Sequence, residues 1–326
     1  MSGSTNDSGT NEEECDMTYD PKIENAKYFI QLLYIAPGVL LNIRILIIML
    51  FRHRKIYMVQ SFFVIYSLDL IVSSTQLIID LFIQRPTIYI PQFCPLLLNV
   101  FKAHALFTNT YYSIYHYMRA AKPIIQAFLC LNRMTCVLAP FDYSQIWLRF
   151  IPITIGVIVL SPFLVVWNVI LSDTYPITIF GGFTLAYSRK ISWAKLSLFQ
   201  VAMVMFSLAI IIPTTSITLF KMRALEIRLK SSERSLCLAS FCTSVAFFIA
   251  AVFQSYFAFF NTDIAYEDLF YFLQAFSFDV VNVGSPMVMI LLSGQLRYHV
   301  FPCQRLAQPG STVVSVSSVS RKKQNE

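Results

Sequence analysis

The chain has 326 residues, of which 56% are hydrophobic and only 13% charged, and its mean hydropathy is +0.60. A soluble globular chain is typically about 45–50% apolar and about 25% charged. This much apolar surface excludes a single water-solvated core and makes a bilayer the natural solvent. The formal net charge of +7 then reads as membrane topology and attraction to anionic lipid, not as nucleic-acid binding.

Residues 1–27 are polar and acidic, with Glu12, Glu13, Glu14, Asp16, Asp20 and Glu24 and no apolar core. That pattern is an outside tail, not a cleavable signal peptide. Within it Asn6-Asp7-Ser8 is a sequon, which makes Asn6 a candidate glycosylation site. Seven apolar stretches follow, at about residues 28–51, 57–83, 110–138, 146–171, 195–220, 236–260 and 269–292. Each approaches or exceeds the roughly 20 residues a helix needs to cross about 30 Å of hydrocarbon. Lipid offers no partner for unpaired backbone groups, so each is expected to be helical. The third is the weakest, because it holds Arg119, Lys122 and Pro123 and charges in hydrocarbon are costly. Without it, six spans would remain and both termini would share a side.

The basic residues argue for seven. Arg52, Arg54 and Lys55 follow the first stretch; Arg133 and Arg149 flank the next inside gap; Lys221, Arg223, Arg228, Lys230 and Arg234 fill the third; and Arg297, Arg305, Arg321, Lys322 and Lys323 lie in the tail. The gaps assigned outside hold fewer: Lys22, Lys27, Arg85, Lys102, Arg189, Lys190 and Lys195. The excess of Lys and Arg marks the cytoplasmic side. The expected fold is an all-α bundle of seven membrane helices with the N-terminus outside. Its parts are an extracellular tail over 1–27, the bundle over 28–292 and a cytoplasmic tail over 293–326.

Cys130, Cys136, Cys237 and Cys242 fall in or at the ends of spans, where they pack as small apolar groups. Cys15 and Cys94 are the two on the outside, so they form a candidate disulfide, with two free thiols as the alternative. Cys303 follows the last span on the inside. It is a candidate for palmitoylation or an unmodified interfacial thiol. From Pro309 onward the chain is rich in Ser and Val with a basic end, the composition of a disordered tail.

Membrane enzymes announce themselves through metal ligands or a nucleophile. His53, His104, His116 and His299 are scattered without paired ligand spacing. No GxSxG, HExxH or phosphate-binding loop occurs. The sequence calls for no cofactor, no metal and no enzymatic activity. A transporter or channel for a small organic solute remains the alternative, although no internal repeat is visible and Gly is scarce at 9.

At the inner end of the third span stands Leu131-Asn132-Arg133-Met134-Thr135-Cys136-Val137-Leu138-Ala139-Pro140. It resembles the Asp-Arg-Tyr signature and downstream Pro of rhodopsin-like G-protein-coupled receptors, with the Arg and Pro matching and Asn132 and Met134 departing. An Arg at the cytoplasmic end of a helix can exchange partners between resting and active states; alternatively it snorkels to lipid phosphates. Because Asn132 is neutral, Glu233 before the sixth span is the candidate resting partner of Arg133. A second set, Asn42, Arg44, Asp69, Asp279 and Asn282, is expected to face the interior and pair, with Arg44 offsetting a carboxylate. Such a network serves either as a switch or as plain helix glue.

The chain as a whole resembles the nematode serpentine receptors of class gamma, chemosensory seven-helix receptors. The resemblance runs over nearly the whole membrane region and rests on the Leu131–Leu138 segment with Pro140, Tyr143 and Trp147, and on Ser232-Glu233-Arg234. It implies a rhodopsin-like architecture in the plasma or ciliary membrane of a sensory neuron, a small-molecule ligand and a heterotrimeric G protein as partners. Tyr112, Tyr115, His116, Arg119 and Lys122 recur at spacings of three and four, which places them on one helical face. With Phe253, Tyr256, Tyr271 and Gln274 at comparable depth, they are the candidate ligand contacts. Inward-facing cations at 119 and 122 would suit an acidic molecule. The competing reading makes the aromatics an interfacial belt and pairs Arg119 with Asp80. Residues 172–194 contain no Cys, so the usual tether of that loop to the third span cannot form.

Overall fold

A computed structural model describes Cys15 and residues 19–179, 181–224, 231–259 and 267–301. Asn6, Cys303 and the side chain of Glu233 lie outside the described residues.

Helix α1 (Pro21–Ile47) starts where Asp20 accepts from the Lys22 N–H at 2.9 Å and Pro21 occupies the first turn. It continues through a π turn to Arg52, and a short helix α2 (Arg54–Tyr57) leads into α3 (Ser61–Ile79). A second π turn (Asp80–Gln84) carries α3 into α4 (Arg85–Tyr89). After α5 (Cys94–Ala103) comes the longest helix, α6 (Ala105–Leu138), then α7 (Tyr143–Leu160) and α8 (Phe163–Leu171), which together make one kinked rod. Strands β1 (Asp173–Ile179) and β2 (Gly182–Ser188) pair antiparallel as a hairpin. The chain closes with α9 (Leu196–Ala224), α10 (Ser231–Phe259), α11 (Glu267–Leu292) and α12 (Gly294–Val300).

Among the described residues, six helical stretches are long and apolar enough to cross a membrane: Pro21–Arg52, Ser61–Tyr89, Tyr143–Leu171, Leu196–Met222, Leu236–Tyr256 and Tyr271–Leu292. Their outer faces carry Leu33, Leu40, Leu148, Phe206 and Phe220, all well exposed, as suits a surface solvated by lipid. Helix α6 falls short in apolarity, not in length. Its 34 residues would extend about 50 Å, and it packs against α3, α7, α8, α9 and α10. It is the axis of the bundle.

Two corrections to the sequence reading concern architecture. The chain is not purely helical, because residues 173–179 and 182–188 pair as antiparallel strands. Arg85, assigned to an outside loop, is only 4% exposed. The π turn explains the second: the Arg85 N–H reaches the Asp80 carbonyl five residues back, so helix continues past the apolar stretch and turns Asp80 and Arg85 into the bundle.

Interior charges pair, but not as one network. Lys122 Nζ lies 2.7 Å from Asp69 Oδ1 and 2.5 Å from Ser73 Oγ, joining α6 to α3. Arg85 grips both oxygens of Asp279 at 3.1 and 3.0 Å and donates to Gln31 Oε1 at 2.9 Å; Tyr34 adds a 2.7 Å bond to Asp279. This second cluster joins α1, α4 and α11. Asn42 donates to the Asn282 carbonyl at 3.3 Å. Arg44 does none of this: it is exposed and lies 5.5 Å over the Phe301 ring. Its position on the outer face of α1 leaves the carboxylates to Lys122 and Arg85.

Cys15 and Cys94 are joined by a disulfide that pins the N-terminal segment to the start of α5. It packs with Leu98, Phe101, Tyr111, Phe183 and Leu185 in a small core beneath the hairpin. At the other end, Ser293 caps α12 by accepting from the Leu296 N–H at 3.3 Å. Tyr57 and His299 Nδ1 approach to 2.7 Å, and the His299 ring stacks on His53 at 4.0 Å. Burial, then His53 and Arg52, push the His299 imidazole below its ordinary value, which favours the neutral ring beside the Tyr57 hydroxyl.

Non-reducing peptide mapping is predicted to recover residues 15 and 94 in one linked fragment; free thiols at both would contradict the pinned tail. A Cβ on Gly182 would lie 2.1 Å from the Thr87 carbonyl oxygen, a backbone atom that cannot swing aside. Gly182→Ala is therefore predicted to push the hairpin off α4 and lower surface delivery and the thermal midpoint of the solubilised protein. Wild-type values for both would show that the hairpin has slack at that contact.

Candidate functional site

The hairpin roofs a cavity of about 250 Å³. Its walls come from the α3–α4 π turn, from α6 and from α11. Six residues singled out in the sequence line it: Tyr112, Tyr115, His116, Arg119, Tyr271 and Gln274. Three others do not. Phe253 and Tyr256 on α10 are not on its walls. Lys122, one turn inward of Arg119, is 2% exposed and is consumed by Asp69. The expectation of two free cations facing an acidic ligand therefore reduces to one.

That one is Arg119. Its guanidinium sits 4.1 Å over the Phe278 ring and 5.6 Å over Tyr115, and it donates to Gln254 Oε1 at 3.4 Å. No carboxylate of a described residue lies within ion-pairing distance of it. Asp80, the alternative partner, lines the same cavity and hydrogen-bonds to Tyr115. The two opposite charges face one cavity without closing on each other.

Behind Arg119 runs a relay of amides. Gln254 Oε1 also accepts from Gln274 Nε2 at 2.8 Å. Gln254 Nε2 donates to Gln200 Oε1 at 3.2 Å, and Gln200 Nε2 meets His116 Nδ1 at 2.8 Å. Arg has donors only, so it fixes the orientation of Gln254, which fixes that of Gln200. The His116 Nδ1 must then accept, and its ring proton belongs on Nε2. The relay ties α6, α10, α9 and α11 together at the level of the cavity.

The inner end of α6 holds a second polar cluster. Arg133 is 4% exposed, with its guanidinium 4.0 Å over the Phe62 ring. It donates to Asn132 Oδ1 at 2.9 Å and to the Tyr143 hydroxyl at 3.3 Å. Asn132 also donates to Ser61 at 2.9 Å and accepts from Tyr143 at 2.9 Å. The neutral Asn132 thus stands beside the Arg as an acceptor, where the rhodopsin-like signature has a carboxylate. Arg133 also borders a small cleft with Cys130, Thr215, Thr218, Cys237 and Ser240, between α6, α9 and α10.

Sequence reasoning missed Arg85, Gln84, Tyr89 and Gln200 as interior groups, and Phe62, Ser61 and Tyr143 as the neighbours of Arg133. The spacing of Asp80 and Arg85 across a continued helix was a usable signal for the first. Nothing in the sequence singled out Gln200, since pairing between distant helices leaves no local pattern.

The family model described as Srg family chemoreceptor matches residues 28–300. Serpentine receptor class gamma-5 of Caenorhabditis elegans is 64% identical over 99% of this chain and 100% of its own length. Serpentine receptor class gamma-4 of the same organism is 43% identical over 96% of this chain and 98% of its own. Serpentine receptor class gamma-2, also from it, is 38% identical over 93% and 92% respectively. The chain is a multi-pass membrane protein that belongs to the Srg family of chemoreceptors.

Proposed function

We propose that this chain crosses the membrane seven times, with α6 as the third span and the N-terminus outside, and that it turns binding of a small molecule into activation of a heterotrimeric G protein. The 28–292 bundle is the working unit, between the outside tail and a cytoplasmic tail. Sensory-neuron plasma or ciliary membrane is its proposed location. The lipid bilayer solvates its outer faces.

The observation that carries the reading is the cavity. It combines aromatic walls with convergent polar groups, the makeup expected of a small-ligand site. It lies on the same side of the bundle as the Cys15–Cys94 disulfide and the hairpin. In this reading Tyr112, Tyr115, His116, Arg119, Tyr271 and Gln274 contact the ligand, and Arg119 offers the site for any acidic group it carries. Asn132 and Arg133 form the switch. Glu233 is kept as a proposed resting partner of Arg133.

The amide relay supplies the link between the two ends. A ligand that draws Arg119 into the cavity takes the donor away from Gln254. The cost is then felt by α10 and α9, whose inner ends flank Arg133. Two-state coupling of this kind needs differential contacts in each state, and the relay offers them at its outer end.

In cells that carry the full-length receptor and a G-protein reporter, a screen of small polar compounds is predicted to yield agonists. Arg133→Ala should reduce the response about tenfold or more at equal surface delivery. Solute uptake with no G-protein dependence would replace the receptor reading by transport.

A further inference from the structure

The charges inside the outer half of the bundle are almost fully committed, and what remains uncommitted has a definite pattern. Lys122 belongs to Asp69; Arg85 also lines the cavity and its field reaches Asp80, but its ion pair is with Asp279. Arg119 and Asp80 are left, opposite in sign, both on the cavity wall. Neither is in an ion pair with any described residue. We propose that the cavity takes a small zwitterion, with its anionic group on Arg119 and its ammonium on Asp80. This rests on the reading of the cavity as the receptor's ligand site.

A buried charge needs an opposite charge or full hydrogen bonding once water is displaced. A neutral ligand would strip water from both Arg119 and Asp80 and leave neither in an ion pair. A net anion would satisfy Arg119 but bring a like charge towards Asp80, which has only the field of Arg85, already paired with Asp279, to offset it; a net cation would answer Asp80 but meet Arg119. A zwitterion answers both. The guanidinium offers a planar fork for a carboxylate, and Tyr115 lies beside both charged groups, where its ring can also face an ammonium. About 250 Å³ is below the usual range of ligand pockets, roughly 300–1,000 Å³, so the zwitterion must be compact, of amino-acid size. His116 Nε2–H and Gln274 add neutral contacts for its remaining polar atoms.

The test uses full-length receptor in lipid nanodiscs and affinity selection. The probes are the twenty common amino acids, each in four forms: the free zwitterion, the N-acetyl acid, the primary amide and the N-acetyl amide. The expected result is retention of one or more free zwitterions, with the matching acid, amide and neutral forms at least about tenfold weaker. That size follows from charge-assisted bonds worth about 1.5–3 kcal/mol each. Asp80→Asn should erase the preference for the zwitterion over its N-acetyl acid, and Arg119→Gln the preference over its amide. Asp80→Glu should retain the wild-type preference, which separates charge recognition from damage to the fold. Retention led by net-charged or neutral forms would overturn the zwitterion while leaving the receptor reading intact. Unchanged selectivity in both neutralised variants would do the same. No retention of any form at millimolar concentration would overturn the zwitterion and the ligand-site reading of the cavity together.

Discussion

A cation among apolar helices is stable only if something nearby replaces water, and four cations set the design of this bundle. Lys122 and Arg85 are answered by carboxylates, Asp69 and Asp279. These two ion pairs bolt α6 to α3 and α11 to α4 and α1. Because each partner is on a different helix, the pairs fix which helices are neighbours as well as how deep each sits. They also leave Asp80 and Arg119 outside any ion pair among the described residues.

Arg119 and Arg133 are answered differently, by rings and neutral dipoles: Phe278 and Gln254 for the first, Phe62, Asn132 and Tyr143 for the second. Cation–ring and charge–amide contacts are worth less than a well-formed buried ion pair and are easier to exchange. Both residues lie on α6, fourteen positions apart, or about 21 Å along the axis. One stands at the cavity and the other at the inner cleft. The most exchangeable charges of the bundle thus lie near the middle and near the inner end of its central helix, with the Lys122–Asp69 pair between them. That division explains why α6 has the lowest apolarity of the long helices. It spends its polar residues on contacts with other helices, where a lipid-facing helix would carry Leu or Phe.

Much of this was legible in the sequence, and the failures have physical causes. The apolar stretches located the helices, because twenty apolar positions in a row have one solution in lipid, but polar first and last turns left ends such as Pro21 and Tyr89 outside them. The three- and four-residue spacing of Tyr112, Tyr115, His116 and Arg119 put them correctly on one face, since helical periodicity is local. The pairing of charges was not legible. Lys122 has the same spacing as Arg119, and only the position of Asp69 across the α3–α6 contact decides that one is ion-paired and the other held by rings and an amide. Arg85 was hidden because a π turn extends α3 beyond its apolar stretch. Residues 173–188 had β-branched and aromatic runs around Gly181-Gly182, a hairpin signal that the surrounding helical pattern obscured. Arg44 was misplaced for the opposite reason: depth in the sequence of a span says nothing of which face a residue takes.

The account stands on the buried pairs being mutual. The direct measurement is a double-mutant cycle between Arg85 and Asp279, with the thermal midpoint of the solubilised receptor as readout. Arg85→Met alone and Asp279→Leu alone should each be strongly destabilising, since removal of one partner of a buried pair typically costs about 3–5 kcal/mol. The double variant should recover most of that loss, because neither charge is then stranded. Strictly additive losses, with the double variant worse than either single one, would contradict the claim that these charges exist to answer each other.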